Sequence, residues 1–516
     1  MQPIDQDLQT LQDMRNAVRR AKEAQQAFQD FSQQQVDRVV KAMAEAAYEK
    51  SYELARLAVE ETGLGVVEHK VVKNQIGSRG VFESIATTKT VGVIREIPDR
   101  KIIEVAAPFG VIAGIVPVTN PTSTAIFKSL IAVKARNAIV FSPHPSAARC
   151  TVEAAKICLE AAVEAGAPGG LIGWMDRPTM EATEGLMKHR DVNLILATGG
   201  SGLVRAAYSS GKPAYGVGPG NVPVFIEKTA DVPSAVRKII ESKTFDNGTI
   251  CASEQAIIVD RNIREMVIRE CKNNGAYFLH EEEKRKMERL ISPVPGKLNP
   301  KIVGKSAVVL AQMAGVSVPP DTRLLIAEES KIGKDVPFSL EKLSPIFAFY
   351  TVNGVEEALG TCERLLELGG RGHTLALHTR DDEIARTFAL RMPVSRLVVN
   401  TPSSLGAVGG TTGLQASMTL GCGTFGGNIT SDNITVHHLM NIKRLAFETK
   451  TVEIPKSGQL FSAPQAGHAY AQPAEQPTQE EQIQTVIDRV LAQVGATPAV
   501  DRETVASLVS EVIARL

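Results

Sequence analysis

Residues 5–60 are rich in Ala, Gln, Glu and Arg with few helix breakers, which predicts long helices at the start of the chain. Residues 91–105 depart from this pattern. There two runs rich in β-branched residues, VGVIREI and KIIEV, flank Pro98, Asp99 and Arg100, and the arrangement predicts a hairpin. From residue 110 apolar and helix-like stretches alternate. VIAGIVPV (111–118) is followed by a helical stretch at 123–135, a short strand at 138–141, a helix at 146–165 and a strand-like run at 171–174. A polar helix then precedes a strand at 192–197 and a helix at 201–209. Strands alternating with helices of this length predict a mainly parallel sheet covered on both faces, with its ligand at the carboxyl ends of the strands.

A second α/β unit runs from about residue 222 to 410, with strands expected at 222–226, 255–259, 307–310, 324–327, 346–352 and 375–378. Residues 406–433, rich in Gly, Ser and Thr, read as irregular backbone near a site or interface. Residues 457–479 carry Pro, Ala, Gln and Gly with little apolar content, as a flexible linker does. Beyond it Ile483, Val486, Ile487, Val490, Leu491 and Val494 fall on one helical face, and Val505, Leu508, Val509, Val512, Ile513 and Leu516 repeat that spacing. Such stripes suit a coiled coil, a helical cap on the chain's own surface, or a tethered peptide that docks in a partner's groove. Their polar faces are not basic, which disfavours a membrane surface.

Composition narrows the class. The 57 basic and 57 acidic side chains balance, so nothing points to nucleic acid or an anionic membrane. The longest apolar runs fall well short of the roughly 20 residues that span a bilayer, and the first ten residues lack the order of a signal peptide. Six scattered cysteines form no CxxC pair or metal-ligand spacing, and this usage fits reduced thiols in the cytoplasm. His437 and His438 are adjacent without a carboxylate cluster, so no metal is expected.

Three short segments bear on chemistry. Cys251, in TFDNGTICASEQ, is either a small buried thiol or an accessible nucleophile in a turn whose backbone N–H groups lower its pKa. TGGSG, with Thr198, Gly199, Gly200 and Ser201, ends a strand and opens a helix; it is a tight turn or a phosphate cradle, and it lacks the full GxGxxG because Arg205 takes the last position. Asn120, in PVTNPTST, is a helix cap or a donor to a developing oxyanion.

Taken together, residues 107–147 (APFGVIAGIVPVTNPTSTAIFKSLIAVKARNAIVFSPHPSA), 198–223 (TGGSGLVRAAYSSGKPAYGVGPGNVP) and TFDNGTICASEQ resemble the CoA-acylating aldehyde dehydrogenases. These include the propionaldehyde and acetaldehyde dehydrogenases of bacterial microcompartments and the dehydrogenase half of bifunctional aldehyde-alcohol dehydrogenases. The resemblance spans roughly residues 5–450. It implies the aldehyde dehydrogenase fold: a Rossmann-like nucleotide-binding domain (1–90 and 106–221), an α/β catalytic domain (222–429) and a β-hairpin oligomerisation arm (91–105 and 430–450), followed by a linker (451–479) and an amphipathic helical tail (480–516).

The same resemblance implies roles for particular residues. Cys251 becomes the nucleophile, and Asn120 with the Cys251 N–H forms the oxyanion hole. Ser142, Pro143 and His144 (in SPHPSA) hold the adenosine half of NAD, Thr198–Ser201 and Gly218 belong to the cofactor cleft, and Glu341 (in EKLSP) contacts the nicotinamide ribose. His373 also resembles a position of the group, but its own context supports only a satisfied structural imidazole. Hydrolytic members carry a water-activating glutamate in a Glu-Leu-Gly-Gly motif; here the matching stretch, Gly216-Val217-Gly218-Pro219-Gly220-Asn221, has no carboxylate. A thioester without that base survives until a thiol such as coenzyme A arrives. The expectation is oxidation of a short aldehyde by NAD with transfer of the acyl group to CoA. A homo-oligomer (dimer or tetramer) is expected, with a tail that resembles the peptides directing enzymes to microcompartment shell proteins. A hydrolytic dehydrogenase and a scaffold protein are the alternatives.

Overall fold

The computed structural model describes residues 6–452 and, beyond them, Ile454, Asp488 and Ser507. The chain divides into Met1–Phe447 and Glu448–Leu516. Almost all of the predicted linker and both striped helices therefore lie outside the described residues.

The breaker-poor start forms three helices, Gln6–Phe28, Gln33–Glu49 and Ser51–Thr62. Ser32 and Gln35 make a reciprocal capping box at the second, and Gly63, in the left-handed region at φ 66°, ends the third. Alternating strands and helices then build a parallel sheet in the order Ile172–Trp174, Ala138–Ser142, Val111–Ile115, Val192–Thr198, Ala214–Val217. The chain builds outward in one direction from Val111–Ile115 and in the other from Val192–Thr198, so the order reverses between these two strands. Lys128, fully buried on the helix Pro121–Lys134, donates to Ile115 O (2.7 Å) and Leu196 O (2.8 Å) across that reversal. Burial lowers its amine to about 7.

A second parallel sheet of seven strands runs Ala276–Phe278, Leu324–Glu328, Ile346–Val352, Glu254–Asp260, Val222–Ile226, Gly372–His378, Val394–Val399. The hairpin of Gly92–Ile97 and Ile102–Pro108 turns at Pro98–Arg100 and takes Met440–Ala446 as a third antiparallel strand. This is the α/β class that the alternation predicts.

Three details differ from the sequence reading. Residues 307–310 are not a strand but the start of the helix Ala307–Ala314, capped by Ser306 and closed by Gly315 at φ 68°. A four-residue apolar run does not distinguish the two periods, and the flanking caps decide it. The strand from residue 111 stops at Ile115; Pro117, two residues on, has no N–H to continue the ladder. Ala214–Val217, Ala276–Phe278 and Val394–Val399 are strands that the pattern did not single out.

Every residue of Pro121–Lys134 is buried, because the helix lies between the first sheet and the amino-terminal helices. Truncating its Phe127, which has no exposed surface, with Phe127→Ala is expected to lower stability by about 3–5 kcal/mol. Urea unfolding measures this, and a loss below about 1 kcal/mol would contradict the packing described.

Candidate active site

A cavity of about 560 Å³ lies where the carboxyl ends of the five-stranded sheet face the amino ends of the seven-stranded sheet. From the first side come the segments just after strands: Thr119 and Asn120, Ser142–Pro145, Thr198–Gly200 and Val217–Pro219. From the second come Cys251, three residues before Glu254–Asp260, and Glu341, five before Ile346–Val352. The carboxyl-end expectation thus describes half of the site. The chemistry-bearing thiol enters from the amino end of the other sheet.

Ten of the eleven candidates from the sequence, Asn120, Ser142, Pro143, His144, Thr198, Gly199, Gly200, Gly218, Cys251 and Glu341, line this one cavity. Ser201, the eleventh, opens the helix Ser201–Tyr208 directly behind Gly200. Ser142 is buried with its hydroxyl 2.7 Å from that of Thr183, so it shapes the wall from behind. Thr198 lies 3.0 Å from the Thr419 hydroxyl.

The residues fit a dinucleotide. Gly200 precedes the helix Ser201–Tyr208 with no side-chain cap, and a Cβ added to Gly200 or Gly218 would meet nothing within 4 Å. Bare backbone at a helix N-terminus is what a pyrophosphate approaches. Glu341 accepts the Gly220 N–H at 2.9 Å, and burial pushes its carboxyl up to about 8. The wall therefore holds one carboxyl group among the described residues, already tied to the backbone.

Cys251 follows a stretch of unusual backbone. Asp246 and Asn247, both at φ 51°, and Gly248 at φ 76° place three successive residues in the left-handed region. Asp246 anchors them: its carboxylate accepts from Val66 N (2.8 Å), the Lys70 ammonium (2.9 Å), Lys73 and the Thr249 hydroxyl, while its N–H donates to His69 Nδ1. Burial pushes the carboxyl up, but the two lysines outweigh it and hold it near about 2. On the far side Gly220 packs so closely that a Cβ there would come within 2.3 Å of the Cys251 carbonyl.

His373 is the residue that the sequence underestimated. Fully buried, it places Nε2 3.2 Å from Cys251 Sγ, and its Nδ1 is 2.9 Å from Thr374 Oγ1. Nothing in the linear sequence joins them, since 122 positions separate the pair. Behind it Arg396, also buried, donates to the carbonyls of His373 (3.0 Å), Gly421 (2.6 Å) and Ser431 (3.2 Å), to Asn433 Oδ1 (3.3 Å) and to Thr374 Oγ1 (3.3 Å). All five partners are neutral oxygens.

Of the two sequence readings of Cys251, the electrostatics do not support a lowered thiol pKa. Burial, and then the nearby Glu341, push Cys251 up to about 12, outweighing Arg396 and its own backbone hydrogen bond. Burial, aided by Arg396, pushes His373 down to about 3. At rest the pair is a neutral thiol beside a neutral imidazole. A Nδ1–H tautomer donating to Thr374 leaves Nε2 free to take the thiol proton. Asn120 stands at the N-cap position of Pro121–Lys134 but does not cap it. Its Nδ2 instead donates to Thr249 O and Thr119 Oγ1, both at 3.2 Å. Elsewhere His438 takes the Thr435 N–H and lies 3.3 Å from Asp432. No cluster able to hold a metal ion occurs among the described residues, and no helix there is long and apolar enough to cross a membrane.

A thiol with a base in hydrogen-bond reach, on a cavity between two parallel α/β layers, is the equipment of covalent thiol catalysis. Residues 5–285 match the aldehyde dehydrogenase family, and the chain belongs to that family. It is 47% identical over 448 residues to the bifunctional aldehyde-alcohol dehydrogenase of Escherichia coli (strain K12), covering 85% of this chain but 50% of that protein. The chain therefore spans about half the length of this bifunctional relative. It is also similar to an acetylating aldehyde dehydrogenase of known structure from Geobacillus thermoglucosidasius (56% identity, TM-score 0.86), across 88% of this chain and 100% of the other. A propionaldehyde dehydrogenase from the fucose-utilisation bacterial microcompartment of Clostridium phytofermentans shares 31% identity and a TM-score of 0.76, across 84% and 97% of the two chains.

Because the other five cysteines are buried, alkylation reports on Cys251. In the ligand-free enzyme the iodoacetamide rate is expected to climb about tenfold per pH unit from neutrality to about pH 9, as a thiol titrating above that range does. A plateau near neutral pH would mean a thiolate–imidazolium pair and contradict the resting state described.

Proposed function

We propose that this chain oxidises a short, uncharged aldehyde with NAD and passes the acyl group to coenzyme A. The carrying observation is the Cys251–His373 pair, 3.2 Å apart, on a wall whose Gly216–Asn221 stretch offers no carboxylate to activate water. Cys251 Sγ attacks the aldehyde carbon while His373 Nε2 takes the thiol proton. The new oxyanion is received by the Asn120 Nδ2 and the Cys251 N–H. Bound NAD would supply the hydride acceptor, and loss of hydride from the thiohemiacetal carbon would leave a thioester on Cys251. Once His373 has released the Cys251 proton to solvent, the CoA thiol attacks the thioester, its proton passes to His373, and the acyl–Sγ bond breaks with the proton returned to the departing Cys251 sulfur. Ser142–His144 and Thr198–Ser201 bind and orient the dinucleotide, and Glu341 meets its nicotinamide ribose.

The wall supports an uncharged substrate. Among the described residues it carries no lysine or arginine to pair with a carboxylated or sulfonated aldehyde, and Val118, Val303, Leu343 and Met418 make it apolar. Acetaldehyde and propionaldehyde suit it, and the acetylating relative supports the CoA step. Glu341 favours a second reading, hydrolysis, because it places a carboxyl group on the same wall; its bond to Gly220 and its raised pKa weigh against that role. Self-association is proposed through the sheet containing Met440–Ala446, an edge strand on which Ile442 and Leu445 are exposed. The microcompartment relative and the two apolar stripes support a tail that docks on shell proteins.

Aldehyde and NAD are expected to give sustained NADH only with CoA present, and Cys251→Ala is expected to abolish it. Sustained NADH and free acid without CoA would establish the hydrolytic reading instead. Deleting residues 457–516 is expected to leave turnover intact and to release the enzyme from co-purifying shell assemblies. Loss of turnover in the truncated chain would contradict a separable tail.

A further inference from the structure

Directly behind Asn120 lies a polar cluster that the proposed reaction does not use. Lys73, 2% exposed, directs its ammonium at three oxygens: Asn120 Oδ1 (2.6 Å), Thr249 Oγ1 (3.0 Å) and the Asp246 carboxylate. Lys70, also 2% exposed, sits one turn earlier on the helix Val67–Gln75 and joins Asp246 (2.9 Å) to the Thr119 carbonyl (3.0 Å). An ammonium has three donors and no acceptor, so all three donors of Lys73 are used. It can meet only the oxygen of a carboxamide. The Asn120 amide is thereby held one way round, with Nδ2 turned toward Thr249 and the chain leading into Cys251.

The contact also explains why Asn120 fails to cap its helix although it occupies the N-cap position, where asparagine ordinarily caps. Lys73 holds the side chain elsewhere. A charged donor on Oδ1 withdraws electron density from the amide and strengthens its N–H groups as donors. Two ammonium groups against one carboxylate leave the cluster with one surplus positive charge.

We propose that Lys73 is a positioning residue for the oxyanion: it fixes the Asn120 carboxamide in donor orientation and polarises it toward the oxygen of the attacked aldehyde. This rests on the proposed role of Asn120. In the step concerned the Sγ–C bond forms, the carbonyl π pair moves onto oxygen, and the thiol proton goes to His373. The developing oxygen charge meets an amide already aligned, and it displaces the two 3.2 Å contacts that Nδ2 makes to neutral oxygens.

The test compares Lys73→Met, Asn120→Ala and the parent in two assays on the full chain. Lys73→Met keeps the side-chain length and leaves Asp246 paired with Lys70, so no buried carboxylate is stranded. The first assay is CoA-dependent NADH formation from propionaldehyde. The second is Cys251 alkylation by iodoacetamide, a displacement at a saturated carbon that develops no oxyanion there. Lys73→Met is expected to lower kcat roughly 10- to 100-fold, less than the ~10²- to 10³-fold cost of losing an oxyanion donor outright in Asn120→Ala. KM for the aldehyde is expected to stay within about threefold, and alkylation to fall clearly less than kcat does, since loss of the Lys73 charge also disfavours the Cys251 thiolate. A kcat within about twofold of the parent, or alkylation falling in parallel with kcat, overturns the proposal. A fully active Asn120→Ala overturns it together with the oxyanion assignment, whereas an impaired Asn120→Ala beside an unimpaired Lys73→Met overturns the role of Lys73 alone.

Discussion

The site depends on one buried carboxylate. Asp246 receives the Val66 N–H, two lysines of the helix Val67–Gln75 and the Thr249 hydroxyl, and so ties an amino-terminal helix to the turn that carries Cys251. A buried ion pair adds little net stability over apolar packing, yet stranding one of its charges is costly. Its value here is geometric. Three consecutive left-handed residues are unfavourable in isolation, two of them not glycine, and the hydrogen bonds of Asp246 over-determine them. The turn keeps its shape because each alternative would leave a charge or an amide unpaired in the interior.

The two sheets divide the work by polarity of strand. The first offers loop backbone at its carboxyl ends, where glycines and helix N-termini receive anionic groups. The second offers side chains at its amino ends, where Cys251, His373 and the approach to Glu341 converge. Facing these opposite ends across one cavity lets a dinucleotide lie on one wall while the thiol waits on the other. The Lys128 amine bridges the Ile115 and Leu196 carbonyls at the strand-order reversal, adding a side-chain tie between two strands of the receiving wall.

Much of this was legible in the chain itself. Strand and helix alternation announced the parallel layers, and the segments around Asn120, Thr198 and Cys251 marked one cavity. What stayed hidden was pairing at long range. His373 reads as a buried imidazole in an apolar strand, and only the placement of Gly372–His378 beside Val222–Ile226 brings it to Cys251. Lys70 and Lys73, one turn apart on a helix, are not singled out by the sequence, and their partner Asp246 lies 176 and 173 positions away. The two readings of Cys251, a packed thiol or a reactive one in a turn, stayed open in the sequence because the packing of Gly220 against its carbonyl comes from a distant segment. The false strand at 307–310 has a simpler cause: four apolar residues carry too little periodicity, and the capping Ser306 and Gly315 lie outside the run.

The neutral state of the Cys251–His373 pair has a consequence for durability. Thiolates, not thiols, are the forms that peroxides carry to sulfenic acid and beyond. An enzyme that kept its sulfur ionised while idle would spend its lifetime exposed to that damage, and to any stray electrophile small enough to enter. Here burial favours the protonated sulfur in the unliganded site. The packing that raises the thiol pKa thus also disfavours the form of the sulfur that oxidants attack.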